Sequence, residues 1–170
     1  MFLIAGLVVA QLLGVAFGSE RLSFLDLSSA ERTILFDIRI PRVLLAACVG
    51  ASLAAAGAGL QALLRNPLAE PYLLGVSNGA ALGTMLAFVF FEQTEGSRPV
   101  LAIIGAGAAT FAVYSMARSR AGMNVERLVL FGVVVTTFLS SIIVMLTSVM
   151  DAAKLRSFTF WLLGDLSQST

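Results

Sequence analysis

Five stretches of this chain contain no Asp, Glu, Lys or Arg: residues 1–19, 43–64, 71–91, 99–117 and 128–150. All 11 basic and all 10 acidic side chains are confined to the segments between and after them. Each stretch is close to the ~20 residues that a helix needs to cross a bilayer. A charge at the bilayer centre is costly, so uncharged windows of this length, recurring along one chain, leave few folds open. A helix satisfies its own backbone donors and acceptors in lipid, where no water can do so. The pattern predicts an all-α integral membrane fold, a polytopic bundle of about five transmembrane helices in a single transmembrane region over residues 1–170.

Composition excludes the alternatives. The chain is 58% hydrophobic and 12% charged, about half the ~25% charge of an ordinary soluble domain, too little to cover a water-soluble globule and too apolar for a disordered segment. A formal net charge of +1 leaves no basic footprint for nucleic acid. With one cysteine, Cys48, and no histidine, neither an internal disulfide nor a His/Cys metal site can be built. The sole lysine, Lys154, follows Ala153 rather than a glycine-rich loop, so no Walker A motif is present. No catalytic residue, cofactor or metal is expected, and any use of ATP falls to another chain.

The first window admits two readings. Ala16-Phe17-Gly18 resembles the small-residue cleavage site of a signal peptide, but no Lys or Arg precedes the apolar stretch and more membrane follows it, which favours an uncleaved helix. Residues 20–42 form a long mixed-charge connection, expected to be ordered or partly helical on one surface. Residues 65–70 make a tight turn, 92–98 a short polar loop and 118–127 a basic loop. Residues 157–164, with Trp161 among them, are too short to span and read as an interfacial helix at headgroup level.

Orientation is contested by the charges themselves. The side holding residues 65–70 and 118–127 carries 4 basic residues and the other side 7, so the positive-inside rule would put Met1 outside. Net charge points the opposite way, at +2 and −1 respectively.

Within 43–64, Ala46, Gly50, Ala54 and Ala58 recur every four residues, as do Ala47, Ala51, Ala55 and Gly59. Such stripes allow helix backbones to approach closely, so Gly50, Ala54, Ala58 and Gly59 are candidate packing positions, although an ordinary packed helix would look the same. The following turn holds Asn66, Pro67 and Pro71. Asn66 is expected to cap a helix whose first residue is Pro67, with Pro71 restarting or kinking it. Next come Gly75, Ser77, Asn78, Gly79 and Gly83, polar atoms and bare backbone in the first turns of a membrane helix. They suit either a bundle interior or interhelical hydrogen bonding.

These residues carry a resemblance. Arg39-Ile40-Pro41-Arg42, Gly50-Ala51, Gly59-Leu60-Gln61, the run from Arg65 to Pro71, Leu74-Gly75 and Asn78-Gly79-Ala80 resemble the permease subunits of ABC importers for ferric siderophores, haem and cobalamin, the FecCD-like permeases. The likeness continues through the basic loop into Leu128–Gly132 and Phe160–Gly164. Family members have about ten membrane helices, so this chain looks like an N-terminal half.

The resemblance implies a permease in the bacterial cytoplasmic membrane with its amino terminus inside. Its partners would be membrane lipid, an ABC ATPase subunit, a substrate-binding protein and a second permease copy. It assigns Arg39 and Arg42 to docking the binding protein, which would explain basic residues kept outside; snorkelling to headgroups is the alternative. It places Asn124 and Val125, after Met123, at an inner gate. Thr136, Thr137, Ser140 and Ser141 would line the pathway with Asn78, whereas periodicity alone reads those hydroxyls as interhelical bonds. The rival is a non-transporting structural or regulatory five-helix membrane protein. A secondary transporter is weaker, because the five windows hold no ion-coupling carboxylate or lysine.

Overall fold

The computed structural model describes residues 2–18, 28–91, 94, 96–119 and 122–164, with backbone alone at 119, 122 and 123. Residues 20–27 of the long connection, Arg120 of the basic loop and the chain after Gly164 lie outside the described residues. The fold is all-α. Its helices are α1 (Phe2–Ala16), α2 (Ser29–Thr33), α3 (Ile40–Leu64), α4 (Val76–Phe90), α5 (Ser97–Ala117), α6 (Val125–Thr147) and α7 (Ala152–Leu163). A two-residue antiparallel pairing, Arg118–Ser119 with Gly122–Met123, joins α5 to α6.

Among the described residues, three helical stretches are long and apolar enough to cross a membrane: Ser29–Leu64, Ser97–Ala117 and Val125–Thr147. α1 and α4 have 15 residues each, about 22 Å at 1.5 Å per residue against a hydrocarbon core of ~30 Å. The uncharged windows 1–19 and 71–91 are longer because they include residues outside the α-helices, among them the 3-10 turn Pro71–Leu74 before α4. Charge-free length measures what lipid tolerates, and helix length also depends on glycine and proline. At α6 the difference runs the other way: the helix starts at Val125 rather than Leu128, and Glu126 and Arg127 of its first turn are exposed. The short piece expected over 157–164 is the twelve-residue α7.

The described chain divides into two compact units, with the boundary inside α3 after Ala55. In the first, Ser28 opens α2 as a capping box: its Oγ accepts from the Glu31 amide at 3.3 Å while the Glu31 carboxylate accepts from the Ser28 amide at 2.9 Å. The helix then runs through a π-helical segment, Ile34–Arg39, in which the Ile40 amide donates to the Leu35 carbonyl. Pro41 follows at once, and a residue without an N–H is accommodated where the hydrogen-bond register has already slipped. α1 meets the start of α3 near Gly14, where an added Cβ would lie 3.1 Å from Val43 Cγ2.

In the second unit α4 and α5 are the most intimately packed helices. A Cβ on Gly79 would collide with the Gly105 carbonyl oxygen, one on Gly105 with the Gly79 carbonyl oxygen, and one on Gly83 with that of Leu101. Two clusters close the opposite ends of α4. Leu60, Leu64, Val113, Ala117 and Leu128 gather at the corner end. Ala81, Met85, Phe88 and Phe158 gather at the other, where Phe158 meets Phe88 edge to face at 6.5 Å and stacks on Trp161 at 6.4 Å. The Arg98 guanidinium lies 4.5 Å from the Phe88 ring centroid, a cation–π contact at the helix end. Outside these clusters, Ile103, Phe111, Phe138 and Val149 are each more than 60% exposed, the apolar exterior expected of a surface that meets lipid or other membrane helices.

Candidate functional site

The corner between α3 and α4 is built by three local devices. Arg65 takes a left-handed φ of 49°, and the Asn66 amide donates back to the Gln61 carbonyl at 3.2 Å, a Schellman-type helix end. Asn66 does not cap a helix beginning at Pro67, as the sequence suggests. Its Oδ1 accepts from the Leu68 amide at 2.9 Å and its carbonyl from the Ala69 amide at 3.1 Å, which makes a turn. Asx turns compete with helix starts through the same side-chain oxygen, and here the second proline follows too closely for a helix to form between. Regular structure resumes at Pro71, and Gly75, with φ 72°, turns the chain into α4.

α6 begins beside this corner. Asn124 caps it, its Oδ1 accepting from the Arg127 amide at 3.0 Å. Asn66, Leu64 and Leu73 from the corner and Val125, Glu126 and Val129 from α6 line one open groove of about 550 Å³. The sequence-predicted residues Asn66 and Val125, 59 positions apart by number, are thus brought to one place.

Above the groove the two segments are pinned together. A Cβ on Gly132 would strike the Leu73 carbonyl oxygen, and one on Gly75 would lie 3.4 Å from Thr136 Oγ1. The Asn78 Nδ2 group donates to the Thr136 carbonyl at 2.9 Å and to Ser140 Oγ at 2.6 Å. The hydroxyls of the four predicted pathway residues on α6 therefore divide. Thr136 and Ser140 turn toward α4, and Thr136 Oγ1 is buried with no hydrogen-bond partner. Thr137 and Ser141 are exposed, the Ser141 hydroxyl donating to the Thr137 carbonyl at 2.9 Å.

The small-residue stripe stands apart from this arrangement. Gly50, Ala54, Ala58 and Gly59 are exposed, and among the described residues nothing lies within 4 Å of a Cβ added at Gly50 or Gly59. Gly105 and Gly132, which carry the close approaches, were not among the candidate positions. Spacing reveals a bare face but not whether a neighbour occupies it.

Arg39 is 8% exposed, and its Nη1 donates to the carbonyls of Val15 at 3.1 Å and Ala16 at 3.3 Å. It closes the carboxyl end of α1, where unpaired carbonyls and the helix dipole both favour a cation. Arg42, one turn on, is half-buried, and its Nε lies buried without a hydrogen-bond partner. No sequence signal links Arg39 to a helix end 23 residues earlier.

Long apolar helices held together by close glycine contacts are the build of a multi-pass membrane protein. The chain matches the FecCD transport family over residues 4–170 and belongs to it. It is 42% identical over 85% of its length to the "Probable iron chelatin transport system permease protein" of Helicobacter pylori, covering 43% of that protein. It is 37% identical over 99% of its length to the hemin transport system permease of Yersinia pestis, covering 53% of it. With the vitamin B12 import system permease of Vibrio vulnificus the figures are 36%, 98% and 51%. Its fold superposes on an inward-facing metal-chelate type ABC transporter with a TM-score of 0.84 at 30% identity, over 99% of this chain and 53% of that one. The chain spans about half the length of the relatives it matches.

Proposed function

We propose that this chain forms part of the transmembrane permease subunit of an ABC importer, which moves an iron chelate, haem or cobalamin across the cytoplasmic membrane. The observation that carries the proposal is the likeness along nearly the whole chain, in sequence and in fold, to metal-chelate permeases. The work is conformational. A separate ATPase subunit hydrolyses ATP, a substrate-binding protein delivers the cargo, and a second permease copy completes the pathway. The corner with Asn66, Pro67 and Pro71 and the start of α6 with Asn124 and Val125 form the inner gate. Thr137 and Ser141 wet the pathway wall.

Docking of the binding protein falls mainly to Arg42, with Arg39 setting the geometry of the surface from beneath. A reversal at Arg39 would set a carboxylate against the α1 carbonyls and disturb the fold, so the clean test uses Arg42. The full-length permease, purified from membranes, is expected to bring its ATPase down with it and to capture the binding protein. Arg42→Glu should lose most of the capture while keeping the ATPase, and salt should weaken the wild-type contact, since charges at the rim of an interface act over a distance that is screened to ~8 Å at physiological ionic strength. Absence of the ATPase from the wild-type preparation would refute the importer reading. Undiminished capture by Arg42→Glu would refute the docking role alone.

In this reading the amino terminus is cytoplasmic, residues 20–42 and 92–98 face outward and the basic loop faces inward. Single cysteines at Ser29 and Ser119 in a Cys48→Ser background should label from opposite sides of the membrane. Ser29 is chosen because Ser28 holds the α2 cap. Labelling of position 119 from outside intact cells would reverse the topology.

A further inference from the structure

We propose that Asn78 is a positioning residue that locks the 65–75 corner to α6, so that the two gate segments of this chain move as one body. The proposal rests on the import reading given above. The corner and the start of α6 are far apart in sequence, and separate gate segments are free to part unless contacts join them. The contacts between them argue otherwise.

Gly132, Thr136 and Ser140 are spaced four residues apart, which places them on one face of α6 over about 12 Å of its length. Each meets the segment leading from the corner into α4. Gly132 admits the Leu73 carbonyl, Thr136 lies against Gly75, and Thr136 and Ser140 receive both donations from the Asn78 amide. A primary amide nitrogen has two N–H donors, and both find acceptors on α6. Leu73, Leu74, Val129 and Val135 pack against the adjoining apolar cluster, and both amide contacts are part-buried. In partly buried, low-dielectric surroundings such amide contacts are stronger than in water.

Parting α6 from the corner would strip Asn78 of both acceptors and open the backbone contact at Gly132 in the same movement. The gate therefore opens between this body and another part of the assembled transporter. Of the two readings the sequence leaves open for Asn78, a wet bundle interior or interhelical hydrogen bonding, both of its amide donors serve the second.

The test uses the full-length permease assembled with its ATPase and carrying Cys48→Ser. One spin-label pair at Tyr72 and Phe138, both exposed, reports within the body. A second, formed by Phe138 in each of the two permease copies, reports on the transport cycle. The within-body distance should stay constant among nucleotide-free, ATP-bound and ADP-bound states while the between-copy distance shifts. Asn78→Leu should broaden the within-body distribution and lower uptake per ATP hydrolysed by about fivefold or more. Ser140→Ala, which removes one acceptor and leaves the amide in place, should broaden it less and serves if the leucine variant fails to assemble. A within-body distance that shifts with nucleotide as far as the between-copy distance would overturn the proposal. So would distributions as narrow as wild type in the variants. A between-copy distance indifferent to nucleotide would count against the import reading, and the comparison of variant with wild-type distributions would still decide the clamp.

Discussion

Gly105→Leu should leave almost no correctly folded protein in the membrane, whereas Gly59→Leu should leave the fold of this region intact. At Gly105 the first added carbon already meets the Gly79 carbonyl group and lies 3.2 Å from the Gly83 Cα. These are backbone atoms of a packed helix and cannot swing aside as a side chain can. Three further carbons must then find room where α4 and α5 touch. Overpacking a core by even small increments costs ~1 to 3 kcal/mol, a large part of the ~5 to 15 kcal/mol by which a domain is stable. In this case the neighbours can yield only by separating two helices that associate through close backbone contact. At Gly59 the added side chain enters open space among the described residues, and loss of a helix-interior glycine is favourable by up to ~1 kcal/mol. Membrane level and thermal unfolding in detergent, compared for both variants of the full-length permease, check this. Equal losses would mean that the α4–α5 contact is not what holds the region together. A loss at Gly59 that appears only after the ATPase and the second copy assemble would place the stripe against one of them.

The contrast shows what the sequence made legible. Uncharged windows found the apolar segments because the cost of burying charge in lipid depends on residue type alone, before any contact forms. The all-α class and the family likeness followed from that pattern and from short motifs. Partner identity was less accessible. Glycine spacing pointed to the stripe of α3, yet the tight contacts lie at Gly79, Gly105 and Gly132, because a bare face signals opportunity and only the neighbour's position makes a contact. Hydroxyls on α6 were recognised as a group, but their division into an inward pair and an exposed pair depends on the rotation of that helix against α4. Arg39 reads as a surface cation until α1 supplies two carbonyls to it. At the corner, Asn66 and Pro67 carry signals for both a helix start and a turn, and only the four-residue spacing to Pro71 decides between them.

The apolar windows of this chain are uncharged, so they supply no carboxylate or lysine for ion coupling, and the proposed importer draws its energy from a separate ATPase. The most direct test is uptake by the full-length permease reconstituted with its ATPase in proteoliposomes, with the binding protein and labelled ferric chelate, haem or cobalamin outside and ATP within. At least one of the three cargoes should accumulate. Uptake should fall to background with ADP in place of ATP, without the ATPase, or without the binding protein. Collapsing the proton and sodium gradients should leave it unchanged. If none of the cargoes accumulates in vesicles where the ATPase is bound and hydrolysing ATP, or if uptake persists without the ATPase, the account is contradicted.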